Sequence, residues 1–176
     1  MGQYILSQGH MDIAYFGVSH KDEAVGIHRK QGFLQAMEDH GLSNIPFVET
    51  SFSIEDAEQK AKDYLTHASE MKQKPTIIAC ATDNIALGVM KAANQLQIPI
   101  PAELSISGFG GYDVSQIVQP NLTTIKYDYE ATGVQAASSL IQQVEGQEKA
   151  PPQLHVMNYE LFIKESVDNK NLYARM

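Results

Sequence analysis

The sequence predicts an α/β fold in which a parallel sheet lies between helices on both of its faces, a three-layer arrangement. Two observations predict it. Short apolar runs alternate along the chain with longer segments whose apolar residues recur at helical spacing. One of these runs, residues 76–81 (TIIACA), is apolar at successive positions, as a strand covered on both faces of a parallel sheet must be.

The bounds of the predicted elements follow from apolar spacing and from residues that begin or end helices. Ser53 and Asp56 have the spacing of a capping box at a helix start, whereas Gly41 and Gly146 follow the last periodic residues of two other helices. Thr82 or Asp83 caps a further helix. We expect strands at Ile13–Val18, Phe47–Thr50 and residues 76–81, 104–109 and 122–127, and helices at residues 24–40, 54–68, 82–96 and 129–145.

The helix predicted over residues 82–96 carries two apolar stripes. One stripe, which includes Ile85 and Val89, is sufficient to cover a sheet. We therefore expect the second stripe to contact an identical subunit, and the alternative is an overlying loop of the same chain. The residues predicted for the dimer interface are Ala86, Met90, Ala93 and Val118.

Charge and cysteine content limit the possible partners. The 176 residues carry a net charge of -8, which argues against this segment binding nucleic acid or an anionic membrane by itself, because such contacts need clustered Lys and Arg. The single cysteine, Cys80, excludes an intramolecular disulfide. The first residues lack the charged start and long apolar core of a signal peptide, and no apolar run reaches the ~20 residues that span a bilayer. We expect a cytoplasmic protein without membrane contact.

Sequence patterns of catalytic and metal sites are not found. The six histidines have no metal-ligand spacing, and neither a Walker-type phosphate loop nor a Gly-x-Ser-x-Gly elbow occurs. Gly108-Phe109-Gly110-Gly111 follows a strand but lacks the third glycine of a dinucleotide-binding turn, which favours a simple tight turn. We expect no metal, no cofactor and no enzymatic activity. The enzymatic alternative is a small α/β hydrolase with Asp83 and Asp113 as acid and base.

Two segments resemble the lactose-repressor/galactose-repressor family of transcription regulators, and together they cover nearly the whole chain. The opening LSQGHMDIAYFG with HRKQGFLQAM resembles the family's Gly-His strand and its Arg-x-x-Gly-Phe helix. Residues 75–140 resemble the family's most recognisable block. The matching residues there are Thr82-Asp83, Ala86 to Gly88, Ile100-Pro101, Glu103 to Ser107, Gly108-Phe109 and Pro120 to Ile125.

The resemblance implies a two-lobed core, similar to periplasmic binding proteins, that closes on a small effector. By this comparison residues 1–128 form the carboxyl-terminal lobe, and residues 129–153 form a closing helix and linker that belong to an amino-terminal lobe absent from this chain. Residues 154–168 are a return strand, and a change of apolar phase near Met157 fits a strand that leaves one sheet and enters another, although a local bulge also explains it. The tail, residues 169–176, is expected to fray.

The resemblance also implies which residues contact the effector. Arg29 matches the family's cleft arginine, whose planar donor fork suits sugar hydroxyls or a carboxylate, and Phe52 matches an aromatic position at the cleft. Thr82 and Asp83 lie at the carboxyl end of a central strand, where open α/β sheets bind ligands, although Asp83 has an equal claim to be a helix cap.

The resemblance extends to the loop and hinge. Gly110 stands where many members have an effector-binding Asp, so either Asp113 replaces that residue or the effector differs. Tyr127 and Tyr129 are expected to touch the ligand from the hinge.

The implied function is effector binding and dimerisation in a sugar-responsive repressor. The effector is a small sugar or sugar phosphate, the assembly is a homodimer, and operator DNA is bound only through a helix-turn-helix head outside this chain. The GFGGYD loop and the KESVDN ending resemble sucrose- and related disaccharide-operon repressors most, with trehalose and maltose types left open. A transport-type sugar-binding protein, which shares the architecture, is the first alternative.

Overall fold

The computed structural model describes residues 1–68, 74–145 and 154–171 and has the predicted α/β arrangement. Four strands form one parallel sheet and two more form an antiparallel pair. In chain order the elements are α1 (Gly2–Ser7), β1 (Ile13–Val18), a π-helical segment (Glu23–Arg29), α2 (Lys30–Glu38), β2 (Phe47–Thr50), α3 (Ile54–Ala68), β3 (Ile77–Cys80), α4 (Asp83–Gln95), β4 (Ser105–Ser107), a 3-10 turn (Asp113–Gln116), β5 (Thr124–Tyr127), α5 (Tyr129–Val144) and β6 (Tyr159–Phe162).

The parallel sheet has the strand order β2-β1-β3-β4 and is covered on both faces. Neighbouring residues of a strand point to opposite faces, so Tyr15 and Phe16 of β1 show which helices lie on each. Tyr15 stacks on Phe33 of α2 at 4.8 Å, whereas Phe16 meets Tyr64 of α3 edge-on at 5.5 Å. The three-layer prediction is therefore confirmed, with α2 on one face and α3 on the other.

The packing of α3 against α4 depends on close contact at Gly88. A side chain there would begin 2.5 Å from the carbonyl oxygen of Ile54 and 2.6 Å from the Ala57 side chain. Caps fix where both helices begin. The Ser53 hydroxyl accepts a hydrogen bond from the Asp56 N–H at 3.1 Å, and the Thr82 hydroxyl accepts one from the Ile85 N–H at 3.3 Å. The sequence predicted the Ser53 cap, and of the two candidates for the second cap, Thr82 and Asp83, it is Thr82 that caps α4.

The second apolar stripe of α4 is buried within this chain, which corrects the expectation of an open partner surface. Ala86, Met90 and Ala93 are 0%, 3% and 0% exposed. A side chain that has already lost its contact with water gains little by further association. These three residues therefore belong to the hydrophobic core, whereas Val118, the fourth predicted interface residue, is only half-buried.

The chain leaves the main sheet to form the pair β5 and β6, and after β6 it returns to run beside the main sheet. The pair is antiparallel, with Thr124 opposite Phe162. Beyond β6, the backbone of Ser166 accepts the Ile106 N–H at 2.8 Å, and its hydroxyl donates to the Ile106 carbonyl at 2.6 Å. Residues 163–168 thus run beside β4. Leu154, before β6, is 91% exposed and lies outside any strand.

The apolar face of α5 is uncovered in this chain. No residue of the helix is buried, and Val134, Leu140 and Ile141 are 63%, 61% and 54% exposed. A helix with such a face normally packs against another element. The assignment of this helix to another lobe stays a prediction, and residues 146–153 of the predicted linker lie outside the described residues.

Two elements differ from the prediction near the amino terminus. α1 was not predicted, and the helix expected over residues 24–40 begins as a wider π-helical segment. Asp22 caps that segment by accepting the Val25 N–H at 2.7 Å. Gly26 packs so tightly on the preceding turn that a side chain there would overlap the Ser19 carbonyl oxygen. The predicted end at Gly41, where φ is +76°, is confirmed.

The start of the tail is anchored, contrary to the expectation of fraying. The Lys170 N–H donates to the Gln8 carbonyl at 2.7 Å, and the Asn171 side chain donates to the Ser7 carbonyl at 2.9 Å. These bonds attach the start of the tail to the end of α1. Residues 172–176 lie outside the described part. Among the described residues, no helix is both long and apolar enough to cross a membrane.

Candidate functional site

The candidate site lies at the carboxyl edge of the parallel sheet, where β3 and β4 end. Arg29 reaches this edge from the last turn of the π-helical segment. Its guanidinium donates to the Ala81 carbonyl, just beyond β3, and to the Tyr127 hydroxyl at 3.2 Å. Two bonds to different elements fix the plane of the guanidinium, so the orientation of its other donors is set before a ligand arrives.

An aromatic platform lies beneath Arg29. The central guanidinium carbon is 3.9 Å from the centroid of the Phe109 ring, a cation–π arrangement. The Phe109 ring also contacts Tyr127, with centroids 5.5 Å apart, and Tyr127 contacts Tyr129 at 5.8 Å. Phe109 was not predicted as a site residue, although its place directly after a strand at the predicted ligand-binding edge would have indicated it.

Two cavities meet at this cluster. One, of about 540 Å³, is lined by residues that include Arg29, Phe33 and Phe109. The other, of about 640 Å³, lies beside the crossing strands and is lined in part by Tyr129. Tyr127 lines both. The volumes are of the size that small-molecule sites have.

Thr82 and Asp83 are both buried at the end of β3, at 4% and 0% exposure. Thr82 is the helix cap, and Asp83 accepts hydrogen bonds from the Tyr112 N–H at 2.9 Å and from the Thr124 hydroxyl at 2.5 Å. Burial raises the pKa of the Asp83 carboxyl, and the hydrogen bond from Thr124 partly opposes that effect. Asp83 is therefore engaged with the protein on both oxygens.

Gly110 and Tyr129 are joined directly, because the Tyr129 hydroxyl donates to the Gly110 carbonyl at 2.7 Å. Gly110 has a φ of +144°, and the Tyr112 ring lies 3.0 Å from where a side chain at this position would begin. Both facts favour glycine at this position. Gly110 therefore contacts the start of α5 through its backbone carbonyl.

The remaining predicted residues stand apart. Asp113 is exposed in the 3-10 turn, and Phe52, 46% exposed, precedes α3 at the end of β2. β2 is separated from β4 by two strands. The structure thus brings together Arg29, Tyr127, Tyr129 and Gly110 through hydrogen bonds and a ring contact. The predicted residues that line neither cavity are Phe52, Thr82, Asp83, Gly110 and Asp113.

Metal ligation has no support in the described ranges. Within residues 1–68, 74–145 and 154–171, no group of three or more His, Cys, Asp or Glu side chains lies close enough to hold a metal ion. Cys80 is buried, and burial raises the pKa of its thiol.

Residues 3–167 match the family of periplasmic binding protein-like domains, nearly the whole chain. The chain belongs to this family. The expectation of a periplasmic-binding-protein-like fold is thus confirmed, and so is the resemblance to lactose-repressor/galactose-repressor regulators, because the relatives below carry such names.

Among curated relatives, the sucrose operon repressor of Staphylococcus xylosus is 36% identical over 148 residues, which is 84% of this chain and 44% of that protein. The transcriptional repressor PurR of Actinobacillus pleuropneumoniae is 28% identical over 171 residues, covering 96% of this chain and 50% of that protein. This member of the periplasmic binding protein-like family therefore spans about half the length of the curated relatives it matches.

Solved structures agree on the fold. A LacI-family transcriptional regulator from Enterococcus faecium with bound ribose superposes with a TM-score of 0.85 at 23% identity, over 96% of this chain and 60% of that one. A dimeric Lac repressor with a carboxyl-terminal deletion superposes with a TM-score of 0.86 at 23% identity, over 96% of this chain and 59% of that one. At this level of identity the likeness is evidence for the fold alone.

Proposed function

We propose that this chain is the effector-binding part of a sugar-responsive transcription repressor. The observation that carries the proposal is Arg29, held by Ala81 and Tyr127 at the carboxyl edge of the sheet and facing an open cavity. Open α/β sheets bind their ligands at that edge. The names of the relatives, a sucrose operon repressor among them, favour a regulatory role.

The chemistry of the site suits a small polyhydroxylated ligand. A guanidinium has five N–H donors, and only part of them is used by Ala81 and Tyr127, so others remain for hydroxyl or phosphate oxygens of the ligand. The Tyr127 ring lines both cavities and offers an apolar face on which the C–H face of a sugar stacks. We propose a sugar or sugar phosphate as the effector, without cofactor or metal.

Switching follows from the position of α5. Tyr129 begins this helix beside the site, and the apolar face of the helix is uncovered. We propose that α5 packs in a second lobe and that an effector bound between the lobes favours one interlobe angle. An effector shifts such an equilibrium only by its differential affinity for the two states. In a cytoplasmic homodimer, that angle sets the spacing of two DNA-binding heads outside this chain.

The alternatives predict different observations. A hydrolase needs an acid and a base at one reacting bond, but Asp83 is buried with both oxygens hydrogen bonded, and Asp113 is exposed in the 3-10 turn. This placement favours binding without catalysis. A transport-type binding protein shares the fold, and it is distinguished by the absence of any effect of the sugar on DNA binding by the full-length protein.

Isothermal titration of the protein with a panel of sugars and sugar phosphates tests the proposal. We expect one class of sugar or sugar phosphate to bind, and we expect Arg29→Ala to abolish the heat of binding. Operator binding by the full-length protein, measured with and without the bound sugar, then tests the regulatory role. Absence of binding across the whole panel, or binding that Arg29→Ala leaves unchanged, would contradict the proposed site.

A further inference from the structure

The loop of residues 108–112 is held from two sides, and Asp83 provides one of them. Its two carboxylate oxygens accept the Tyr112 N–H at 2.9 Å and the Thr124 hydroxyl at 2.5 Å. Its own N–H donates to the Phe109 carbonyl at 3.1 Å. Gly108 lies so close that a side chain there would overlap the carboxylate. One buried carboxylate thus contacts the beginning and the end of the loop.

The other side of the loop is bound to β5 and to α5. The Gly110 N–H donates to the Ile125 carbonyl at 2.8 Å, and Gly111, at a φ of +70°, lies directly on Lys126. The Gly110 carbonyl accepts the Tyr129 hydroxyl at 2.7 Å. Tyr129 is the first residue of α5, so the helix start and the loop share a hydrogen bond.

We propose that Asp83 is a positioning residue that couples the loop of residues 108–112 to the start of α5 through the hydrogen bond between Gly110 and Tyr129. The loop carries Phe109, the ring beneath Arg29. A change in loop geometry therefore reaches α5 through this hydrogen bond, in addition to any contact of the ligand with Tyr129 itself. The inference deepens the proposed function, on which its biological meaning rests, because it names the route from site to helix.

The burial of Asp83 supports a positioning role over the two roles that its sequence position suggested, a helix cap and a ligand contact in the cleft. At 0% exposure the carboxylate is inaccessible to a ligand, and Thr82 supplies the helix cap. A buried carboxylate is retained only where hydrogen bonds compensate its lost hydration. Here those bonds come from Tyr112 and Thr124, so the cost of burying the charge is compensated only while the loop and β5 stay in place.

Amide hydrogen exchange followed by mass spectrometry on the ligand-free chain tests the coupling. Tyr129→Phe removes only the hydroxyl, and we expect exchange of the Gly110 and Tyr112 amides to become roughly fivefold faster, the factor that one net hydrogen bond represents. Asp83→Asn keeps the side chain's shape, and we expect faster exchange both in the loop and at amides 131–134 of α5. Thr124→Val, which removes one donor to Asp83, provides the same test if Asp83→Asn does not fold.

A matched control separates coupling from general loosening. The Thr132 hydroxyl donates to the Asp128 carbonyl at the start of α5 and takes no part in the loop contacts described above. We expect Thr132→Val to leave exchange of the loop amides unchanged. Two results overturn the inference: Asp83 and Thr124 variants that loosen the loop but not α5, or a Tyr129→Phe variant whose loop exchanges as in the wild type. Because no ligand is present, these outcomes are independent of the titration that tests the proposed function.

Discussion

The guanidinium of Arg29 lies over the ring of Phe109, with its central carbon 3.9 Å from the ring centroid. The contact joins residues 80 positions apart in sequence, one from a helical segment and one from the loop after β4. It places the strongest hydrogen-bond donor of the site above an apolar face. The affinity for a sugar is expected to depend on both groups.

Arg29→Lys tests the donor fork. A lysine keeps the charge but has no planar fork for two acceptors, so we expect sugar affinity to fall by about ten- to hundredfold in isothermal titration. Lys30→Arg is the matched control, because the Lys30 ammonium lies 3.4 Å from the centroid of the Phe47 ring, away from the cavity. Equal affinities for the Arg29→Lys variant and the wild type would remove Arg29 from the site.

Phe52→Ala tests an aromatic residue that lies outside both cavities. The side chain is 46% exposed, so we expect the unfolding free energy to change by less than about 0.5 kcal/mol. If the ring stacks on the effector in the closed protein, affinity falls about tenfold. Phe47→Ala is the stability control, since Phe47 stacks on Tyr15 at 6.2 Å. Unchanged affinity in Phe52→Ala would show that Phe52 does not contact the ligand.

Elements whose evidence is local were predictable from the sequence. The strands Ile13–Val18 and Phe47–Thr50 have the predicted bounds. The first is a short apolar run between Asp12 and Ser19, and the second begins after Pro46 and ends before Ser51. α1 was missed because six residues are too few to display a helical repeat, and the helix packs on α2 through contact of Gly2 with Ala36. The stability of α1 therefore comes from its tertiary packing on α2 rather than from its own sequence.

Roles that depend on distant partners were not predictable. Asp83 receives its hydrogen bonds from Tyr112 and Thr124, which are 29 and 41 positions away. No spacing rule connects such residues. Similarly, the second apolar stripe of α4 indicated burial correctly, but apolar spacing alone does not distinguish a neighbouring subunit from a neighbouring segment of the same chain. Met90 is covered by its own chain.

His10 is expected to make stability depend on pH. The imidazole is 0% exposed, with Nδ1 2.8 Å from the Thr76 hydroxyl oxygen and Nε2 3.1 Å from the Asp168 carbonyl oxygen. Burial lowers the pKa of His10 below its ordinary 6.5, and the bond to Asp168 partly opposes that shift while nearby Lys170 adds to it. The unfolded chain therefore binds a proton in an interval just below pH 6.5 in which the folded chain does not.

The sign follows from that difference in bound protons. The contribution of His10 to the unfolding free energy is complete above about pH 6.5 and decreases as the pH falls through the lowered pKa. We expect His10→Gln to lose this pH dependence and to cost about 1–3 kcal/mol at neutral pH through the lost bonds. Urea unfolding between pH 5 and 8 measures both, with His67→Gln as a surface control. A wild-type stability that rises as the pH falls below 6.5 would contradict the assignment.

Substitutions at Met90 and Val118, two residues of the predicted dimer interface, are expected to have different effects on oligomeric state. Met90 is 3% exposed, so Met90→Glu places a charge in the core, and we expect it to lower the unfolding free energy by about 3 kcal/mol or more rather than to yield a folded monomer. Val118 is half-buried beside Ile117, which is 75% exposed. An apolar surface of this kind favours contact with a second copy. Val118→Asp is therefore expected to shift sedimentation from dimer to monomer, with a smaller loss of stability than Met90→Glu because Val118 packs on the core only in part. A dimer unaffected by Val118→Asp would move the interface to another surface.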